Sequence, residues 1–110
     1  MTLGILLTTS PESGNTHTAV EVAKAAAAAG WQVGFFLMND GVYNVLAHEK
    51  NPWRDDFSAL LTAGSRITLC ATNCTPRGVT KENTLPGVVL GSQYDHAGLV
   101  AKSDRFLVFG

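Results

Sequence analysis

Both cysteines of the chain, Cys70 and Cys74, lie in the stretch ITLCATNCTPRGVT, which also holds Arg77 and Gly78. A thiolate, not a thiol, is the nucleophile, and a nearby cation or helix N-terminus favours it. Arg77 is such a cation, Pro76 suits the first turn of a helix, and Gly78 lets the backbone bend close or take a positive φ. Packing is the competing explanation, because cysteine is among the most buried residue types and behaves as a small hydrophobe. From spacing alone the two explanations stand level for Cys70, and Cys74 reads as packed or incidental. A zinc site needs four ligands, and C-x3-C with the scattered His17, His48 and His96 fits no usual pattern. A thioredoxin-type redox pair would need C-x-x-C, which is absent.

The surrounding elements must place these thiols. Leu3–Thr8 is a short apolar run of the kind buried on both faces of a parallel sheet, and the polar TSPESGNTH after it is a loop. From Asn15 to Ala29 the period turns helical, with Ala19, Val20, Ala23, Ala26 and Ala27 on one face, a capping box expected from Thr18 and Glu21, and Gly30 as the stop. Gln32–Met38 is a second buried strand ending in the turn-like Asn39–Gly41. A short helix is expected within VYNVLAHEK, another from Asp56 to Ala63, and a third strand from Arg66 to Ala71. The loop beyond it is expected to be irregular, with one helical turn beginning at Pro76. Val88–Leu90, Tyr94–Lys102 and Arg105–Val108 complete the pattern as strand, helix and strand. This order predicts one α/β domain over residues 1–110: a three-layer sandwich with a mostly parallel sheet of four to five strands and helices on both faces. In such sheets ligands collect beyond the carboxyl ends of the strands, where Cys70 lies.

Composition narrows the function. Charged residues make up only 15% of the 110 and hydrophobic ones 45%, which points to apolar surface hidden in subunit contacts. A net charge of -1 and the absence of Lys or Arg runs give a nucleic-acid surface little support. The N-terminal stretch lacks a positive region and a long enough apolar run for a signal peptide, and no stretch approaches a membrane span. A cytoplasmic protein is expected, where thiols stay mostly reduced.

A second chemistry is open at Thr8–Ala19, TTSPESGNTHTA. A strand, a Ser/Thr/Gly loop and a helix N-terminus together suit a phosphate, and Ser13–Thr16 is similar to the phosphate loop of flavodoxins. Flavin mononucleotide is the alternative ligand, with Trp53, Tyr43 and Tyr94 as candidate ring contacts. Helix capping by Ser13, Asn15 and Thr16 accounts for the same residues without a ligand. His17 reads as a solvated first-turn histidine, Tyr94, Asp95 and His96 as a helix start, and Asp40 as a turn former or partner contact.

Three stretches resemble the DsrE/DsrF/TusD-like sulfur-relay family. FFLMNDGVYNVL, from Phe35, resembles its second strand end. LCATNCTPRGV, from Leu69, resembles its active loop, in which a cysteine at a strand end is followed eight positions later by the glycine of an Arg-Gly pair, as Cys70 and Gly78 are here. GLVAKSDRFLVFG resembles its closing helix, turn and strand. The resemblance implies a DsrE-like, flavodoxin-like fold and a cysteine that carries sulfane sulfur as a persulfide, here Cys70, with Arg77 steadying the anion and no cofactor. It also implies sulfur donor and acceptor proteins as partners and assembly into homo- or hetero-oligomers. Some relatives lack the cysteine and serve as non-catalytic subunits. Where members carry a second loop cysteine, the nearest pattern puts it at the position of Asn73, so Cys74 departs from it; Cys74 is a second candidate catalytic residue, expected either to resolve the Cys70 persulfide as a transient disulfide or to be a spectator.

Overall fold

The computed structural model describes residues 1–110. Five strands, β1 (Thr2–Leu7), β2 (Gln32–Leu37), β3 (Arg66–Cys70), β4 (Val89–Gly91) and β5 (Arg105–Phe109), form one sheet in the order β4-β3-β2-β1-β5. All four pairings are parallel. The helices α1 (Gly14–Ala28) and α2 (Arg54–Thr62) cover one face, α3 (Ala71–Cys74) follows β3 at its end, and α4 (Gln93–Lys102) covers the other face.

Period-2 alternation sorts the strand side chains between two unequal cores. Leu3, Ile5 and Leu7 of β1, Val33, Phe35 and Leu37 of β2, and Ile67 and Leu69 of β3 point toward α1 and α2, where they join Ala19, Val20, Ala23, Phe57 and Leu60. The small side chains of Ala19 and Ala23 let α1 lie close to the sheet. Phe35 and Phe57 meet edge to face with ring centroids 5.2 Å apart, a geometry contributing about 0.5–1.5 kcal/mol beyond area burial. On the opposite face Phe36, Cys70 and Leu99 form a small buried cluster, flanked by half-buried Leu6, Met38 and Phe106.

Several local expectations need correction. The capping residue of α1 is Ser13, whose hydroxyl accepts from the Asn15 N–H at 3.2 Å; Thr18 instead donates to the Gly14 carbonyl at 3.2 Å and caps nothing. Helix α2 starts two residues earlier than its periodicity suggests, because Asp55 and Asp56 belong to its first turn and favour the positive end of the helix dipole. The short helix expected after β2 is a 3-10 helix that begins earlier than expected and absorbs the turn at Asn39–Gly41, running from Asn39 to Val45. Its geometry is set by tertiary contacts: a Cβ on Gly41 would collide with the carbonyl oxygen of Leu7, so the end of β1 fits only against glycine. Buried Asn44 donates to the carbonyls of Thr9 and Gly41 at 2.9 and 3.0 Å, tying this helix to the loop after β1.

Candidate functional site

Strand β3 stops at Cys70, whose backbone is still extended, and α3 begins at the next residue. Helical structure therefore starts at Ala71, not at Pro76; Pro76 lies in a following 3-10 turn, Thr75–Arg77, which ends at Gly78 with φ of 67°. That left-handed angle is why glycine suits the position. Cys70 occupies the N-cap position of α3, and its side chain makes no capping hydrogen bond.

The loops after β1, β2 and β3 meet at this rim. Asn73 of α3 accepts the N–H of Asn39 at 2.8 Å, holding that residue at a φ of 51°. Arg77 donates to the Asp40 carboxylate at 3.0 Å and to the Asn73 carbonyl at 3.1 Å. The guanidinium expected to steady a Cys70 anion is thus already paired, and Asp40, expected as a turn former or partner contact, is that pair's acid.

The two cysteines are both free and both buried, yet they face different cores. Cys74 is 1% exposed within the large α1/α2 cluster. Burial pushes its thiol above the usual range, the Cys70 sulfur adds to that, and the positive charge of Arg77 opposes both. Cys70 is 6% exposed and belongs to the α4 face with Phe36 and Leu99. Its register partner in β4 is Gly91, so no side chain flanks it on that strand.

Gln93, which no sequence signal marked, and His96, expected only as part of a helix start, complete the surroundings. The exposed Gln93, first residue of α4, places its Nε2 4.0 Å from the Cys70 sulfur and 3.6 Å from the Met38 sulfur. Its Oε1 lies 2.9 Å from Nδ1 of His96. The His96 ring stacks on Phe36, with centroids 5.0 Å apart and planes within 10°, and also touches Phe106. The start of α4 itself is capped by Ser92 and Asp95 in a capping box, which leaves His96 free for the stack.

In the Ser13–Thr16 loop the first and last side chains bond within the chain. Ser13 caps α1, and the buried Thr16 hydroxyl engages the carbonyls of Thr9 and Ser10 at 3.1 and 2.8 Å. The Trp53 indole donates to the Pro11 carbonyl at 2.7 Å, and His17, exposed as expected, lies tilted against the Trp53 ring. Of the other aromatic candidates, Tyr43 packs against the large core, and Tyr94 stands 91% exposed on α4, across the sheet from this loop. No group of three or more His, Cys, Asp or Glu side chains is placed to hold a metal ion, and no helix is long and apolar enough to cross a membrane.

A parallel three-layer sandwich with a thiol at the carboxyl rim of an inner strand defines the class. The family model that matches is the DsrE/DsrF-like family, over residues 1–109, and the chain belongs to that family. Among relatives, an uncharacterised protein of Methanocaldococcus jannaschii is 28% identical over 98 residues, covering 84% of this chain and 85% of that one. A second, from Methanopyrus kandleri, is 26% identical over 98 residues, covering 84% and 80%. Solved structures agree in fold: the ychN protein from E. coli (TM-score 0.76, 19% identity, 99% of both chains) and a protein of unknown function from Methanobacterium thermoautotrophicum (0.80, 14%, 97% of both). A Bacteroides thetaiotaomicron protein of unknown function superposes with a TM-score of 0.78 at 19% identity, over 98% of this chain and 94% of that one.

Proposed function

We propose that this protein is a cytoplasmic sulfur carrier that holds sulfane sulfur as a persulfide on Cys70 and yields it to an acceptor thiol. The observation that supports this reading best is the position of the Cys70 sulfur. It lies at the end of β3, before a helix start and beside an exposed carboxamide, in a family whose members include sulfur-relay proteins.

Loading is thiol exchange. The Cys70 thiolate attacks the outer sulfur of a donor R–S–SH; the new S–S bond to Cys70 forms as the donor's own S–S bond breaks, and the electron pair leaves on R–S⁻, which takes up a proton from solvent. Sulfane sulfur moves without net oxidation, so no further reactant is needed. Delivery is the same exchange with an acceptor thiolate attacking the outer sulfur of Cys70–S–SH, and rates follow thiolate fraction, leaving-group acidity and access. Donor and acceptor are proteins, and the working form is an oligomer of this chain or of related subunits. Cys74 stands outside the exchange, in the other core. Arg77 acts with Asp40 and Asn73 to fix the loop that carries Cys70.

Incubation with polysulfide followed by intact-mass measurement tests the reading. A gain of one sulfur that Cys70→Ser abolishes and Cys74→Ser retains is expected. A gain indifferent to Cys70 overturns it.

A further inference from the structure

Gln93 is an exposed glutamine whose side chain is nonetheless held in one place by three contacts, two of them sulfur atoms. Its Nε2 sits 3.6 Å from Met38 and 4.0 Å from Cys70, and its Oε1 takes a 2.9 Å hydrogen bond from His96. His96 is itself fixed face to face on buried Phe36. Its register neighbour on β4 is Gly91, and the space a side chain there would take is held by the Asp95 carboxylate and the Thr68 methyl. Cys70 is 6% exposed under this arrangement, and exchange at sulfur needs a clear line of approach.

We propose that Gln93 is the movable cover of the Cys70 sulfur and that His96 is the positioning residue that latches it. Closed, the carboxamide excludes bulky thiols and turns an N–H toward the sulfur. Release of the His96 hydrogen bond lets the side chain swing into solvent, because its backbone is the first turn of α4 and only the two long, weak contacts with sulfur then restrain the tip. The cover selects by size: a small thiol or persulfide reaches the sulfur past the closed glutamine, and a bulky one reaches it only when the glutamine is displaced. The inference rests on Cys70 being the sulfur carrier, but its test does not use sulfur.

The experiment is alkylation of the folded full chain at neutral pH with iodoacetamide and with a bulky maleimide, the adduct at Cys70 being quantified by mass spectrometry. Gln93→Ala is expected to speed the maleimide about tenfold while changing iodoacetamide less than about threefold, the size dependence a lid confers. His96→Phe keeps the stack on Phe36 and removes the latch, so it should accelerate the maleimide similarly. The double variant should match Gln93→Ala alone, since both changes remove one device. Gln93→Glu, whose carboxylate still accepts from His96, should stay slow. Maleimide rates for Gln93→Ala within about twofold of the unaltered chain, effects that multiply in the double variant, or equal acceleration of both reagents with a lowered melting temperature would each overturn the proposal. Failure of sulfur loading in the unaltered chain would instead count against the carrier reading and leave these rates unaffected.

Discussion

Cys70 and Cys74 are four residues apart, one turn of chain, and their side chains belong to opposite faces of the sheet, Cys70 to the α4 cluster and Cys74 to the α1/α2 core. A disulfide needs Cβ atoms about 3.5–4.5 Å apart with vectors that converge, and side chains buried in separate cores disfavour that convergence while β3 and α3 keep their shape. Mild oxidation of the folded chain should leave no Cys70–Cys74 bond, checked by the mass of the non-reduced peptide. Cys74→Ser should place an unpaired hydroxyl in an apolar core and cost about 1–3 kcal/mol in denaturant unfolding. It should leave sulfur loading intact.

Cys74 also sets an alkaline limit on stability. Its folded thiol titrates above the ordinary value of 9.0, chiefly because it is buried, while the unfolded thiol ionises near that value. The unfolded state therefore binds fewer protons above that pH, and stability falls as pH rises from about 9 toward the folded value. Below it the contribution is fully present. Melting temperature measured from neutral to alkaline pH should decline with a slope that Cys74→Ala reduces.

The Arg77–Asp40 pair is half in water, the side chains being 25% and 57% exposed. Such a pair contributes about 0–1 kcal/mol, so Arg77→Gln should destabilise only modestly, the loss of its bond to the Asn73 carbonyl included. The electrostatic effect runs the other way for the two partners. Asp40→Asn leaves Arg77 uncompensated near the thiols and should speed polysulfide loading a few-fold; Arg77→Gln leaves the carboxylate and should slow it, each by about 1 kcal/mol or less. Single-turnover loading rates at low salt separate the two.

Two glycines make a matched pair. Gly41→Ala drives a methyl into the Leu7 carbonyl, which is backbone and cannot move aside; a loss of about 1–3 kcal/mol or more is expected. A Cβ on Gly98, in the middle of α4, meets nothing, so Gly98→Ala should stabilise by about 0.8–1.0 kcal/mol. Chemical denaturation of both variants checks the contrast.

The elements that build the sheet were legible because their signals are local. Apolar runs mark the buried strands, and Gly30 and Gly64 mark helix ends through positive φ values of 89° and 99°. What failed to show depended on distant partners. Asn39–Val45 takes its 3-10 form from Leu7, Thr9 and Asn73, none of them neighbours in sequence. The cysteine rim was readable from a strand followed by a turn-rich loop, and the DsrE-like resemblance pointed to the same residue. Gln93 was not readable. Its place over Cys70 follows from the pairing of β3 with a strand of three residues, which fixes where α4 begins. Arg77 was visible as a cation near the thiols, but its partner Asp40 lies thirty-seven positions away and comes close only when β2 and β3 align.

The central claim is that Cys70 is the atom that carries sulfur, and locating the adduct tests it most directly. Trypsin releases ITLCATNCTPR, which holds both cysteines, by cutting after Arg66 and Arg77. After polysulfide loading and alkylation of the native protein, fragmentation of this peptide should find the extra sulfur on Cys70 and none on Cys74. Extra sulfur on Cys74, or a Cys70 that stays an unmodified thiol while the donor is consumed, would contradict the account.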